Sequence, residues 1–177
     1  KDISNRADDI RNKRVKPDQD NMLKITTDGR KAALDMRLVD LIFGRESESK
    51  VMRCAENIAD VYYDTRDTNS IQLVFCDIST PKEGFNLYDE LKSLLIAMGI
   101  PGNKVAFIHE AQNERQKEEL FRELRKGEKS VLIGSTFKTG HGVNIQERLV
   151  AMHHLDVPWR PADMVQREGR ILRRGNT

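Results

Sequence analysis

IQLVFCDISTPKEGFNLYDELKSLLIAMGIPGNKVAFIHEAQNERQKEELFRELRKGEKSVLIG, residues 71–134, carries the pattern that decides the fold. Ile71 to Phe75, Val105 to Ile108 and Val131 to Gly134 are short apolar runs rich in strand formers, without the alternation of a half-exposed sheet. Between the first two, Leu87, Leu91, Leu94, Leu95 and Met98 repeat at helical spacing from about Asn86 to Met98, and Gly99 and Pro101 stop the helix. Between the last two, Asn113 to Arg125 is a strongly charged helix anchored by Leu120, Phe121 and Leu124. Strand, helix, strand, helix, strand predicts an α/β fold, a parallel sheet with helices on both faces. In such sheets functional loops leave the C-terminal strand ends, here Cys76 to Pro81, His109 to Asn113, Gly134 to Asn144 and Asp156 to Pro161.

Working outward, Ala151 to Leu155 reads as a fourth strand, and Pro161, at a helix-starting position, opens a last helix to about Leu172. Upstream, Val51, Cys54, Ala55, Ile58 and Tyr62 recur at helical spacing after the possible caps Ser47 and Ser49. Leu34, Leu38 and Leu41 share another helical face. Residues 1–21, charged and poor in large aliphatics, are expected to be a linker or helical extension, and residues 22–177 the domain proper. The absence of an initial Met and the ending Arg-Gly-Asn-Thr lead to the expectation of a piece of a longer protein.

With 177 residues, 33% charged and 38% hydrophobic, the chain fits one globular domain. No apolar run approaches the ~20 residues of a membrane span, and nothing resembles a secretory signal, so a cytoplasmic protein is expected. Cys54 and Cys76 lie far apart without a C-x-x-C, which indicates neither a disulfide framework nor a zinc site. The formal charge is +2, so clusters rather than the average must identify partners.

One cluster lies in the last helix, Pro161-Ala-Asp-Met-Val-Gln-Arg-Glu-Gly-Arg-Ile-Leu-Arg-Arg-Gly175. Met164, Val165, Ile171 and Leu172 fall on one side, while Gln166, Arg170 and Arg173 form a polar stripe opposite, with Arg167 and Arg174 on its flank. Guanidinium forks at that spacing suit phosphate oxygens; the bland alternative is a solvated basic face. The stretch Gly134-Ser-Thr-Phe-Lys-Thr-Gly-His-Gly-Val-Asn144 follows a strand and has amides for phosphate, but it matches neither G-x-G-x-x-G nor a Walker A loop. His153 and His154 are expected on opposite faces of a strand, and Trp159 as a packing residue. Cys76 has no His nearby in sequence to activate it.

Taken together, Gly134-Ser135-Thr136, Gly140-His-Gly142-Val-Asn144, Asp156-Val-Pro-Trp159-Arg-Pro161 and Gln166-Arg-Glu-Gly169-Arg170-Ile-Leu-Arg173-Arg-Gly175 resemble motifs V and VI of superfamily-two helicases. The Asp-x-x-Trp-x-Pro segment is similar to the Swi/Snf-like branch, and Leu73 to Thr80 resembles motif IV. A softer similarity, through Asp20 to Val39 and Ser79-Thr-Pro-Lys, is to helicase regions of long phage or conjugative-element proteins, some fused to a DNA adenine methyltransferase.

The resemblance implies the second of two RecA-like motor lobes, the C-terminal one, with ATP and Mg²⁺ held mainly by a missing first lobe of the same protein. It implies that Arg170 and Arg173 reach the ATP phosphates as arginine fingers with Gln166 beside them, and that Gly140, Gly142 and Asn144 line the nucleotide side. Ser79, Thr80, Ser135 and Thr136 would meet the DNA backbone without reading sequence. Where the Swi/Snf branch has Arg-Ala-Gly-Gly this chain has Phe137-Lys-Thr-Gly140, with Lys138 as a substitute phosphate contact, and His141 replaces an aliphatic residue. The rival readings are a non-catalytic nucleic-acid-binding or docking module of the same fold, and a small-molecule transferase with a similar sheet.

Overall fold

The computed structural model describes residues 3–45, 48–139, 145 and 148–169. The chain divides into two units, Lys1–Lys50 and Val51–Thr177. In the second, strands β1 (Ile71–Phe75), β2 (Val105–Phe107), β3 (Val131–Gly134) and β4 (Leu149–His154) form one parallel sheet in the order β2-β3-β1-β4. Helix α3 (Lys50–Thr65) precedes β1, α4 (Leu87–Ala97) joins β1 to β2, and α5 (Glu114–Lys126) joins β2 to β3. A four-residue helix, α6 (Thr136–Thr139), follows β3, and α7 (Pro161–Glu168) follows β4.

The register assigns the two faces of the sheet. Ala106, Leu132, Leu73 and Met152 lie level across the strands and share a core with Leu120, Phe121 and Leu124 of α5. The next row, Phe107, Ile133, Val74 and His153, faces the other way. There Tyr88 of α4 meets Phe107 edge to face at 5.4 Å. On the same side the Gln72 amide donates to the Ile58 carbonyl of α3 at 2.9 Å. Helices therefore cover both faces, the α/β arrangement expected from the alternation. β1 lies between β3 and β4, so the loops after those three strands start side by side.

Local chemistry fixes the helix ends. Asn86 accepts the Asp89 amide at the start of α4, and Asn113 accepts the Gln116 amide at the start of α5. α5 stops at Gly127, where φ is 77°. β4 begins two residues earlier than expected, at Leu149; the register slips between Ile71 and Gln72 so that Val150 is passed over.

In the first unit, α1 (Ile3–Arg11) and α2 (Met22–Leu34) are followed by a 3₁₀ turn at Met36–Leu38. Arg6 holds Asp20 through Nε and Nη2 (2.7 and 2.9 Å) and Asp28 through Nη1 (2.9 Å). Of the segment read as a linker or extension, residues 3–11 are helical, and Arg6 ties this helix to Asp28 of α2. The helical face expected through Leu34, Leu38 and Leu41 does not form. Asp35 is extended (φ −165°, ψ 126°) and caps the 3₁₀ turn through the Arg37 amide, which leaves Leu41 68% exposed. No helix among the described residues is long and apolar enough to cross a membrane.

Candidate functional site

Each of the three adjacent strand ends contributes a polar group. Asp77 follows β1, Thr136 opens α6 after β3, and Asp156 stands two residues beyond β4. Oδ2 of Asp156 accepts the amides of Asp77 (2.5 Å) and Ile78 (2.7 Å). Asp77 in turn accepts the Thr136 amide on Oδ1 and the Thr136 hydroxyl on Oδ2, both at 2.7 Å. The loops after β1, β3 and β4 are therefore chained together through two carboxylates.

Arg167 of α7 closes this chain. Its side chain is 0% exposed, and its Nη2 donates to Asp77 Oδ2 (2.7 Å) and Asp156 Oδ1 (3.1 Å). Nε donates to Thr136 Oγ1 and Nη1 to the Asp156 carbonyl, both at 2.7 Å. Nη1 also lies 3.5 Å from His154 Nδ1. The guanidinium is 4.9 Å above the centre of the Phe75 ring, against which His154 stacks. A buried charge needs this degree of satisfaction; removing one partner of such a pair costs ~3–5 kcal/mol.

This places Arg167 differently from the sequence reading, which put it on a flank beside Arg174. At about 100° per residue, Arg167 lies about 60° from Met164, on the side of the helix that meets the strand ends. Val165, read as part of the apolar side, is 68% exposed. The partners that bury the arginine, Asp77 and Asp156, stand at two strand ends and become one site only in the folded sheet.

Of the expected ATP-side residues, Gln166 is exposed on α7, about 100° round the helix from Arg167. Gly140, Gly142, Asn144, Arg170 and Arg173 lie outside the described residues, as does Ser47. Among the expected DNA contacts, Ser79 is only 3% exposed, and its Oγ accepts the Leu87 amide at the start of α4. The Thr136 hydroxyl gives its proton to Asp77 and accepts from Arg167, so it has none left for a phosphate. Ser135 is buried, while Thr80 and Lys138 are half-buried. Lys138 lies near enough to His109 to lower its pKa, although burial is the larger cause. Gly134 proves to be a packing glycine: a Cβ there would meet Thr139 Cγ2 at 2.4 Å and Ile108 Cγ2 at 2.9 Å.

The remaining candidates separate clearly. His153 reaches Gln72 on one face of the sheet and His154 stacks on Phe75 on the other. Trp159, expected to pack, is 63% exposed. Burial pushes the Cys76 thiol up to about 12, so it carries no thiolate at neutral pH. Among the described residues no three His, Cys, Asp or Glu side chains are grouped to hold a metal ion.

Comparison with known proteins adds the following. Residues 49–175 match the family described as the helicase conserved C-terminal domain. Among solved structures, the chain is similar to the crystal structure of the Pyrococcus furiosus Hef helicase domain, with 18% identity and a TM-score of 0.47. That likeness covers 97% of this chain and 32% of the other. No curated protein matches the chain.

Proposed function

Because the chain belongs to the helicase conserved C-terminal domain family, we propose that it is the second motor lobe of an ATP-dependent DNA helicase or translocase. In this reading it belongs to the Swi/Snf-like branch of superfamily two and works in the cytoplasm within a longer phage or conjugative-element protein. Its partner lobe is the first RecA-like lobe of that protein. The observation that carries the reading is the orientation of α7. Arg167 anchors the helix to the ends of β1, β3 and β4, and Gln166, about 100° round the helix from it, stands exposed.

The residues present suit a nucleotide at that face. Gln166 offers an amide, and Arg170 and Arg173 extend the same polar stripe in sequence with two always-charged forks. ATP, when bound, supplies the phosphoanhydride whose cleavage drives the motor. The role of the two arginines is to stabilise negative charge on the transferring phosphoryl group, with Mg²⁺ assigned to the first lobe. On the DNA side, Thr80 and Lys138 are the contacts favoured by exposure. Ser79, Ser135 and Thr136 shape the loops that present them.

The test compares the isolated chain with a protein that carries both lobes. Alone, the chain is expected to hydrolyse no ATP with or without DNA, and to bind DNA weakly, without sequence preference and with steep salt dependence. In the two-lobed protein, Arg170→Ala or Arg173→Ala is expected to lower kcat by ~10³-fold or more with little change in DNA affinity. Robust DNA-stimulated hydrolysis by the chain alone would overturn the half-motor reading. Tight, sequence-selective DNA binding that survives high salt would favour the docking module.

A further inference from the structure

We infer that Arg167 is a positioning residue: a clamp that makes α7 and the loops after β1, β3 and β4 move as one body, so that the helix facing the nucleotide cannot shift without the loops facing DNA. The inference rests on the motor reading above and adds to it the element that joins the two faces of the lobe.

Three observations carry it. First, among the described residues every hydrogen bond from α7 to the rest of the unit is made by Arg167; the only other side-chain bonds of the helix, from Arg160 to Asp163, are local. Among the described residues, the polar attachment of the helix to the strand ends thus runs through one side chain. Second, the guanidinium reaches all three loops at once, through Asp77, Thr136 and Asp156. A planar fork with five N–H donors can do this, whereas an ammonium on a shorter reach cannot. Third, one cation serves two carboxylates. Nη2 sits 2.7 Å from Asp77 Oδ2 and 3.1 Å from Asp156 Oδ1, so without it two like charges face each other across the strand ends. Loss of Arg167 therefore drives the loops apart as well as releasing the helix.

Arg167→Lys is the informative variant, because it keeps the charge between the aspartates while losing the fork. In the chain itself, the amides of Ile78 and Thr136 donate to the two clamped carboxylates. Their hydrogen exchange is expected to quicken ~10-fold or more in Arg167→Lys, the size of one lost hydrogen bond, while Leu73 and Leu132 in the sheet stay protected. In the two-lobed protein, the same variant is expected to lower the DNA-stimulated kcat by ~10-fold or more, with KM for ATP nearly unchanged, as misplacement rather than lost binding predicts. Unchanged exchange at Ile78 and Thr136 would show that Arg167 does not hold the loops. Quickened exchange with normal stimulated kcat would make the clamp a stabilising contact only and overturn the positioning role. Should the wild-type two-lobed protein show no DNA-stimulated hydrolysis, the motor reading fails and this role fails with it, whereas the exchange result still reports on the clamp.

Discussion

Gln72 lies buried in the middle of an aliphatic strand, and both ends of its amide are used. Its Nε2 donates to the Ile58 carbonyl, which turns Oε1 toward His153 Nε2 at 2.9 Å. His153 must then carry its proton on Nε2 and is held neutral. Burial, and secondarily the neighbouring His154, push its pKa down to about 4. A histidine whose folded pKa is depressed binds a proton more readily when unfolded, so stability falls as pH drops from ~6.5 toward about 4 and levels off below. His154 and His109, also lowered, act with the same sign. The urea midpoint is therefore expected to fall between pH 7.5 and 4.5. His153→Gln, which keeps a donor for Gln72, is expected to shrink that fall, and an identical pH profile in the variant would refute the assignment.

At the scale of elements, α5 is the helix whose limits are best defined. Asn113 accepts the Gln116 amide at one end, and at the other Gly127 takes φ 77° with a Cβ position only 2.5 Å from Asn69 Oδ1. Asn113→Ala is expected to cost ~1 kcal/mol, as other N-caps do. Gly127→Ala should cost at least ~1 kcal/mol, since it adds a left-handed strain and a clash. Equal, unchanged melting temperatures for both variants would show that the capping account is wrong. Such elements were legible because their signals are local: apolar repeats, Asn before the helix and Gly after it. The helix expected through Leu41 failed for an equally local reason, the extended backbone at Asp35. Arg167 was misread because its surroundings are not local. Asp77 lies 90 residues away and enters the site only once β1 and β4 pair. The same holds for Ser79 and Thr136, whose hydroxyls looked free for DNA until the fold supplied Leu87, Asp77 and Arg167 as partners.

At the scale of the whole molecule, the two units differ in what holds them. The sheet and its core, from Ile71 through Phe121 to Leu149, belong entirely to residues 51–177. Among the described residues of the first unit, only Ile25 and Leu34 are buried apolar side chains, and its best-defined long-range link is ionic, Arg6 with Asp20 and Asp28. The hydrogen bond to Arg6 holds the Asp20 carboxyl below its usual range. Exposed and half-exposed ion pairs contribute ~0–1 kcal/mol each, far below the ordering entropy of a segment this long. A domain of roughly 60 residues is already marginal in the share of its surface that it buries, and a shorter one more so. Residues 51–177 produced without the first unit are therefore expected to melt cooperatively with helix and strand signatures intact, and residues 1–50 alone to be largely unstructured by circular dichroism. A cooperative transition in the isolated 1–50 segment would show that ion pairing carries more of this fold than burial allows.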